Sequence, residues 1–295
     1  MATVYCSLAT VHFEMSRQLT QRLVFTLITL AAIATVTPIV FVVGYIAYLG
    51  WPAISWSFLG EMPRDGMRAG GIWPAIVGTL YLTLGTGLIA VPLGVAAAIY
   101  LSEYAKDNRL TRSIRIAIIN LAGIPSVVYG LFGLGLFVLF LKFGTSLVAG
   151  CLTLSIMTLP VIISTAEEAL RAVPQSFRVV SRSLGGTKWQ TIWRVVLPQA
   201  LPGILTGVIL GLERAAGETA PILFTAAAFF LPRLPGSIFD ATMALPYHLF
   251  VISTQVPGMP IQIQYGTALV LLVFVLSMNV VATIIRSRAR ARRQW

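Results

Sequence analysis

Between its charged residues the chain runs uncharged over 23–60, 69–102, 116–141, 143–166, 195–212, 219–232 and 241–285. Five of these intervals exceed the roughly 20 apolar residues that cross a bilayer as a helix, at about 1.5 Å per residue. The chain is 57% hydrophobic and 11% charged, whereas soluble domains are about 25% charged. So few charges cannot cover a water-facing surface, so the solvent for most of the chain is lipid and an ordinary soluble enzyme is excluded.

The first four intervals each hold one span, near 23–49, 73–101, 116–141 and 147–166, and the run 264–285 holds a last one. The intervals 195–212 and 219–232 are separated only by the insertion Glu213 to Glu218. They are expected to join as a fifth span near 200–230 that carries charges inside the membrane. Pro246, Pro257 and Pro260 make 231–262 a loop with at most one short helix. The expected fold class is all-α: a polytopic membrane domain over 23–285 with six transmembrane helices and a long polar loop over 167–199. A tail over 1–22 precedes it and a basic tail over 286–295 follows. The first apolar run is too long for a signal-peptide core and is taken as an uncleaved span. No function is assigned to residues 1–14.

Six spans place both termini on one side. Sixteen of the 21 basic residues fall there: Arg17 and Arg22, four from Lys106 to Arg115, five from Arg171 to Arg194, and five from Arg286 to Arg293. Arg64, Arg68, Lys142 and Arg233 fall on the other side, with Arg214 inside the fifth span. Basic loops are retained in the cytoplasm, so both termini and the loop 167–199 are expected to be cytoplasmic. Topology and contact with anionic membrane lipid then account for the net charge of +11, and nucleic acid is not an expected partner.

Cys6 and Cys151 cannot form a disulfide framework, and His12 and His248 lack a second ligand at metal spacing, so neither redox chemistry nor a metal site is expected. None of Lys106, Lys142 and Lys188 follows a glycine, which excludes a phosphate-binding loop of the form Gly-x-x-x-x-Gly-Lys-Ser/Thr. This chain is expected to bind no cofactor of its own. If ATP and Mg take part in what the chain does, a separate subunit must bind them.

Within the polar loop, Val179 to Pro198 forms the pattern of two short helices broken at Gly185-Gly186. Glycine accepts the positive φ that ends the first helix, and Thr187 can cap the second. Pro198 is expected to mark the turn toward the fifth span. Trp189, Ile192, Trp193 and Val196 fall at i, i+3, i+4 and i+7, one apolar stripe outside the bilayer that suits docking on a protein or on headgroups. A glycine, nine residues, an aliphatic, one residue and Leu-Pro, here Gly185, Val195 and Leu197-Pro198, resembles the EAA loop of bacterial ABC importer permeases. That resemblance implies a coupling helix seated in a cleft of a cytoplasmic ATPase, with Arg178, Gly185, Gly186, Trp189, Leu197 and Pro198 as its coupling residues. The family's Glu-Ala-Ala falls on Val179-Val180-Ser181, and Arg178 or Arg182 is the expected substitute for the missing glutamate. A cysteine at Thr191 is expected to cross-link to the ATPase.

Glu213, Arg214 and Glu218 lie about 20 Å along a helix that begins near Leu201. Each costs about 2.5–3.5 kcal/mol at the bilayer centre, so they should pair or line a cavity. Arg214 and Glu218 stand at i and i+4 and can satisfy each other. Such a pair either locks helix packing or presents the planar guanidinium to an oxyanion, with Glu218 holding and partly neutralising it. The second role is favoured, because apolar packing would serve a purely structural need at lower cost.

Arg214-Ala-Ala-Gly217-Glu218-Thr219-Ala220-Pro221, followed by Ile-Leu-Phe-Thr, closely resembles the Arg-x-x-Gly-Glu-Thr-Ala-Pro stretch of permease subunits of bacterial phosphate ABC importers. Pro125-Ser126-Val-Val-Tyr-Gly130 and Val173-Pro174-Gln-Ser-Phe-Arg178 are similar to the same family. The resemblance implies a non-catalytic subunit of the bacterial inner membrane that forms half of a path for inorganic phosphate, with Arg214, Glu218 and Thr219 on the path. It also implies the partners: a second, related permease, two copies of a cytoplasmic ATPase and an extracytoplasmic phosphate-binding protein. Sulfate and molybdate permeases carry an aromatic after the glutamate, so Thr219 favours phosphate. The alternatives are an ABC permease for another oxyanion and a secondary transporter in which Glu213 or Glu218 relays protons.

Overall fold

The computed structural model describes the backbone of residues 2–291 and the side chains of residues 20–288. The side chains of the first 19 residues and most of the basic tail, including Cys6, His12 and Arg290 to Arg293, lie outside the described residues. Helix α1 spans Ala2–Gly50, and the short α2, Trp56–Gly60, leads into a hairpin in which β1 (Pro63–Arg64) pairs antiparallel with β2 (Ala69–Gly70). Helix α3 (Trp73–Ile99) ends in a π turn over Tyr100–Tyr104. After α4 (Arg109–Ala122) and α5 (Ser126–Gly133), which continues as π helix over Leu134–Phe140, comes α6 (Leu147–Arg171). The long loop holds α7 (Gln175–Ser183) and α8 (Lys188–Thr191); a π turn over Ile192–Val196 then joins α8 to α9 (Leu197–Gly217). Helices α10 (Ala220–Thr225), α11 (Leu245–Thr254) and α12 (Ile261–Ala291) complete the chain.

Five helical stretches are long and apolar enough to cross a membrane: Thr20–Ala53, Trp73–Tyr104, Leu147–Arg171, Lys188–Gly217 and Ile261–Arg288. The bent pair Arg109–Ala122 and Ser126–Phe140 makes a sixth when counted as one span. The protein is therefore all-α and polytopic, as the spacing of its charges predicts.

Helices α3, α6 and α9 form the centre of the bundle. Lipid tails are as apolar as leucine, so close backbone approach has to hold such helices together. Gly94 faces Ile162, and Gly207 lies against Thr165 with no room for a Cβ. The buried hydroxyls of Thr83, Thr153 and Ser155 return to carbonyls one turn back in their own helices, at 2.8, 2.8 and 2.6 Å. That local bond lets a polar side chain sit in an apolar core. At the hairpin end the core is built on Leu82, Leu154, Met157, Ile222, Leu245 and Ile252; at the loop end it is built on Ala98, Leu170, Val196, Ala200 and Ile204. Helices α1 and α12 pair at the side, with Tyr45 edge-on to Tyr265 at 5.7 Å, and leave their other apolar faces exposed.

Three expectations are corrected. The third span, 116–141, is not one helix: α4 and α5 meet at 101°. Pro125 biases the residue before it away from helical geometry, and Gly123 closes α4. Helix α4 is amphipathic, with Arg109, Arg112 and Arg115 among apolar residues, so Arg115 stays at the loop end, donating to Glu167 Oε1 at 2.8 Å and to the Leu101 carbonyl at 2.9 Å. The fifth span stops at Gly217, where Glu218 is extended, and Pro221 opens the separate α10. Pro198 marks no turn: helix runs without a break from Lys188 to Gly217. The π turn just before Pro198 shifts the hydrogen-bond register, so its missing N–H is tolerated.

Candidate translocation and coupling sites

The depth of Arg214 follows from the packing of α9 on α6. Gly203, Gly207 and Gly211 lie in turn against Ala169, Thr165 and Ile162, so the two helices run antiparallel and Arg214 falls near the middle of α6. Its Nε stands 3.3 Å from Glu218 Oε1, although the helix between them has already ended. The Glu218 side chain reaches back from an extended backbone, so the pair does not depend on the i,i+4 geometry of a continuous helix. The Arg214 side chain is 35% exposed and that of Glu218 17%. Nε supplies the one hydrogen bond that Arg214 makes among the described residues, which leaves both terminal nitrogens free to donate. A pair serving only to lock helices would bury its charges and use these donors. Gly217 borders the pair with open space where a Cβ would stand, and Thr219 is half-buried at the break. Tyr129 of α5 stands within electrostatic reach of Arg214, its hydroxyl donating to the Leu121 carbonyl at 2.7 Å. One oxygen of Glu213 is buried with no hydrogen-bond partner among the described residues.

The loop is folded for local reasons. Gly185 has φ +83°, ending α7 in the left-handed region. Thr187 and Gln190 form a reciprocal cap on α8: the Gln190 N–H donates to Thr187 Oγ1 at 3.2 Å, and the Thr187 N–H to Gln190 Oε1 at 2.9 Å. Ser181 and Thr191 share a hydroxyl hydrogen bond of 2.9 Å that ties the two helices together. A groove of about 530 Å³ runs between them, lined by Val180, Leu184, Gln190 and Val195.

The apolar stripe is divided by tertiary packing. Ile192 and Val196 are buried against the bundle, whereas Trp189 and Trp193 remain exposed with ring centroids 5.3 Å apart. Thr191 is 2% exposed and turned inward, so it is the wrong position for a cross-link. Leu197 and Pro198 are half-buried at the start of α9. Arg178 is likewise unavailable as a surface substitute for the missing glutamate. It is buried against Glu103, whereas Arg182 and Val179 are exposed. Sequence reasoning missed Glu103, and also Glu167, which accepts from both Arg115 and Arg171 at 2.8 Å. Glu103 and Arg178 are 75 residues apart, and no local pattern links them.

A helical bundle with a partly exposed arginine level with the middle of α6, and a folded loop between two apolar helices, is a polytopic membrane protein. Residues 90–292 match the family described as the binding-protein-dependent transport system inner membrane component, and the chain belongs to that family. It is a multi-pass inner-membrane protein and an ABC importer permease.

A probable ABC transporter permease protein, YqgI, of Bacillus subtilis is 33% identical over 91% of this chain and 95% of its own length. The phosphate transport system permease protein PstA 1 of Mycobacterium tuberculosis is 34% identical over 89% of this chain and 86% of its own. Among solved structures, the methionine ABC transporter MetNI in inward-facing form shares 19% identity at a TM-score of 0.60, over 73% of this chain and 94% of that one. A bacterial transporter that imports the acidic polysaccharide alginate shares 14% identity at a TM-score of 0.62, over 88% and 96%. These two likenesses establish the fold.

Proposed function

We propose that this chain is one of two permease subunits of an ATP-driven importer of inorganic phosphate. The observation that carries the reading is Arg214: a guanidinium at mid-membrane, held by one bond to Glu218, with two terminal nitrogens free. Its place in Arg-x-x-Gly-Glu-Thr-Ala-Pro and the names of relatives such as PstA 1 support phosphate as the anion.

In this reading the loop end and both termini face the cytoplasm. A second, related permease completes the path, an extracytoplasmic binding protein delivers phosphate, and two copies of a cytoplasmic ATPase, carrying ATP and Mg, dock on the coupling loops. Arg214 attracts the anion and donates to its oxygens; Glu218 competes for the same guanidinium, so the anion is released rather than trapped. Thr219 lies beside them on the path. ATP binding draws the loops together and rocks the bundles around this point.

Two experiments test it. Uptake of labelled phosphate by cells whose only such subunit is this chain should be unaffected by excess sulfate or molybdate, and suppression by either would assign another oxyanion. On the loop, a single cysteine replacing Trp189, which is 60% exposed, should cross-link to the ATPase, and one replacing Thr191 should not. Labelling of the Trp189 position by lipid-phase reagents instead would make α8 an interfacial helix.

A further inference from the structure

Glu103 and Arg178 form a buried ion pair between the end of α3 and the first helix of the loop. Arg178 Nη2 stands 2.6 Å from Glu103 Oε1, and their side chains are 8% and 6% exposed. Arg178 also donates through Nε to both oxygens of Glu103, at 3.2 and 3.3 Å, through Nη1 to the Val173 carbonyl at 2.7 Å, and through Nη2 to the Leu170 carbonyl at 2.9 Å. One guanidinium thus joins three elements: the π turn after α3, the end of α6 and α7. The neighbouring residue, Tyr104, takes the ammonium of Lys188 over its ring at 4.5 Å from the centroid. Lys188 opens α8. Two consecutive residues of one π turn therefore hold the two helices of the loop, Glu103 gripping α7 and Tyr104 gripping α8.

A buried ion pair is a poor way to gain stability, because desolvation offsets most of its attraction. What it supplies is direction: several charge-assisted bonds in fixed geometry resist sliding where apolar contacts would slip. We propose that the π turn Tyr100–Tyr104 is the point through which the loop moves the membrane helices, with Glu103 and Arg178 as positioning residues that make the loop and the end of α3 one rigid body. The proposal rests on the ATP-driven reading and names the joint that reading needs.

The test uses the assembled complex in proteoliposomes with Glu103→Gln, which removes the charge but keeps the shape and leaves Arg178 its two carbonyl acceptors. Spin labels on Tyr100 and Ser183, both exposed, report the distance between the π turn and α7 through the ATP cycle. In the wild type that distance should stay constant; in Glu103→Gln its distribution should broaden on ATP binding. ATP hydrolysis should persist while labelled phosphate imported per ATP falls about tenfold, the equivalent of one charge-assisted hydrogen bond. Arg178→Lys, which cannot reach the carboxylate and both carbonyls together, should behave the same way. A constant distance and unchanged import per ATP in the variants would overturn the proposal. So would failure of both variants to assemble, which would assign the pair to folding alone. Wild-type complex that hydrolyses ATP without importing phosphate overturns the phosphate reading only, since the spin-label distance needs no substrate; a chain that takes no ATPase overturns both.

Discussion

Arg214→Lys is expected to lower uptake about 10- to 100-fold while the complex still assembles. Lysine keeps the positive charge and can still meet Glu218, so helix packing and insertion are preserved. It loses the planar fork that contacts Glu218 through Nε and leaves two nitrogens for an anion. Charge-assisted hydrogen bonds contribute about 1.5–3 kcal/mol each, so losing one corresponds to about 10- to 100-fold. Labelled uptake and co-purification of the ATPase measure the two halves of the prediction separately. Normal uptake would remove Arg214 from the path and leave it a packing residue.

Gly207→Val is expected to destabilise the protein more than any surface change, by about 1–3 kcal/mol. A Cβ at this position falls on the Thr165 side chain, and Thr165 is itself fixed by a 2.7 Å bond to the Val161 carbonyl. Helices α6 and α9 would have to separate at the centre of the bundle, where small residues provide the close packing. Yield and the melting temperature of the purified protein measure the effect. Adding Thr165→Ala should recover part of the loss, because two residues in contact do not act independently. Wild-type stability in Gly207→Val would mean that α9 is not packed on α6 as described.

The features that were visible in the sequence are those fixed by local chemistry. The gaps between charges located four of the helices long and apolar enough to cross a membrane, because an isolated charge in lipid is costly whatever its neighbours, but they misplaced the fifth. Gly185 and Thr187 showed the break and cap of the loop, since a positive φ and a side-chain cap need only residues close in sequence. The bend at Gly123-Ile-Pro125 was also written locally, but counting uncharged residues passes over it. Pro198 misled for the opposite reason: the local rule holds for an α register, and the preceding π turn removes the conflict. The division of the tryptophan stripe, the inward turn of Thr191 and the Glu103–Arg178 pair could not be seen, because each depends on which helix packs against which. In the same way, the spacing of Arg214 and Glu218 predicted their pairing, but only the structure reveals that the helix ends between them and leaves the guanidinium partly open.

The central claim is ATP-driven import of phosphate, and its most direct measurement is uptake of labelled phosphate at low external concentration in cells lacking their own copy of this subunit. This chain should restore uptake when its ATPase is present and should restore none when the ATPase is deleted or unable to hydrolyse ATP. Uptake that persists without the ATPase would contradict the account and make the protein a secondary carrier, with Glu213 and Glu218 as its candidate proton sites.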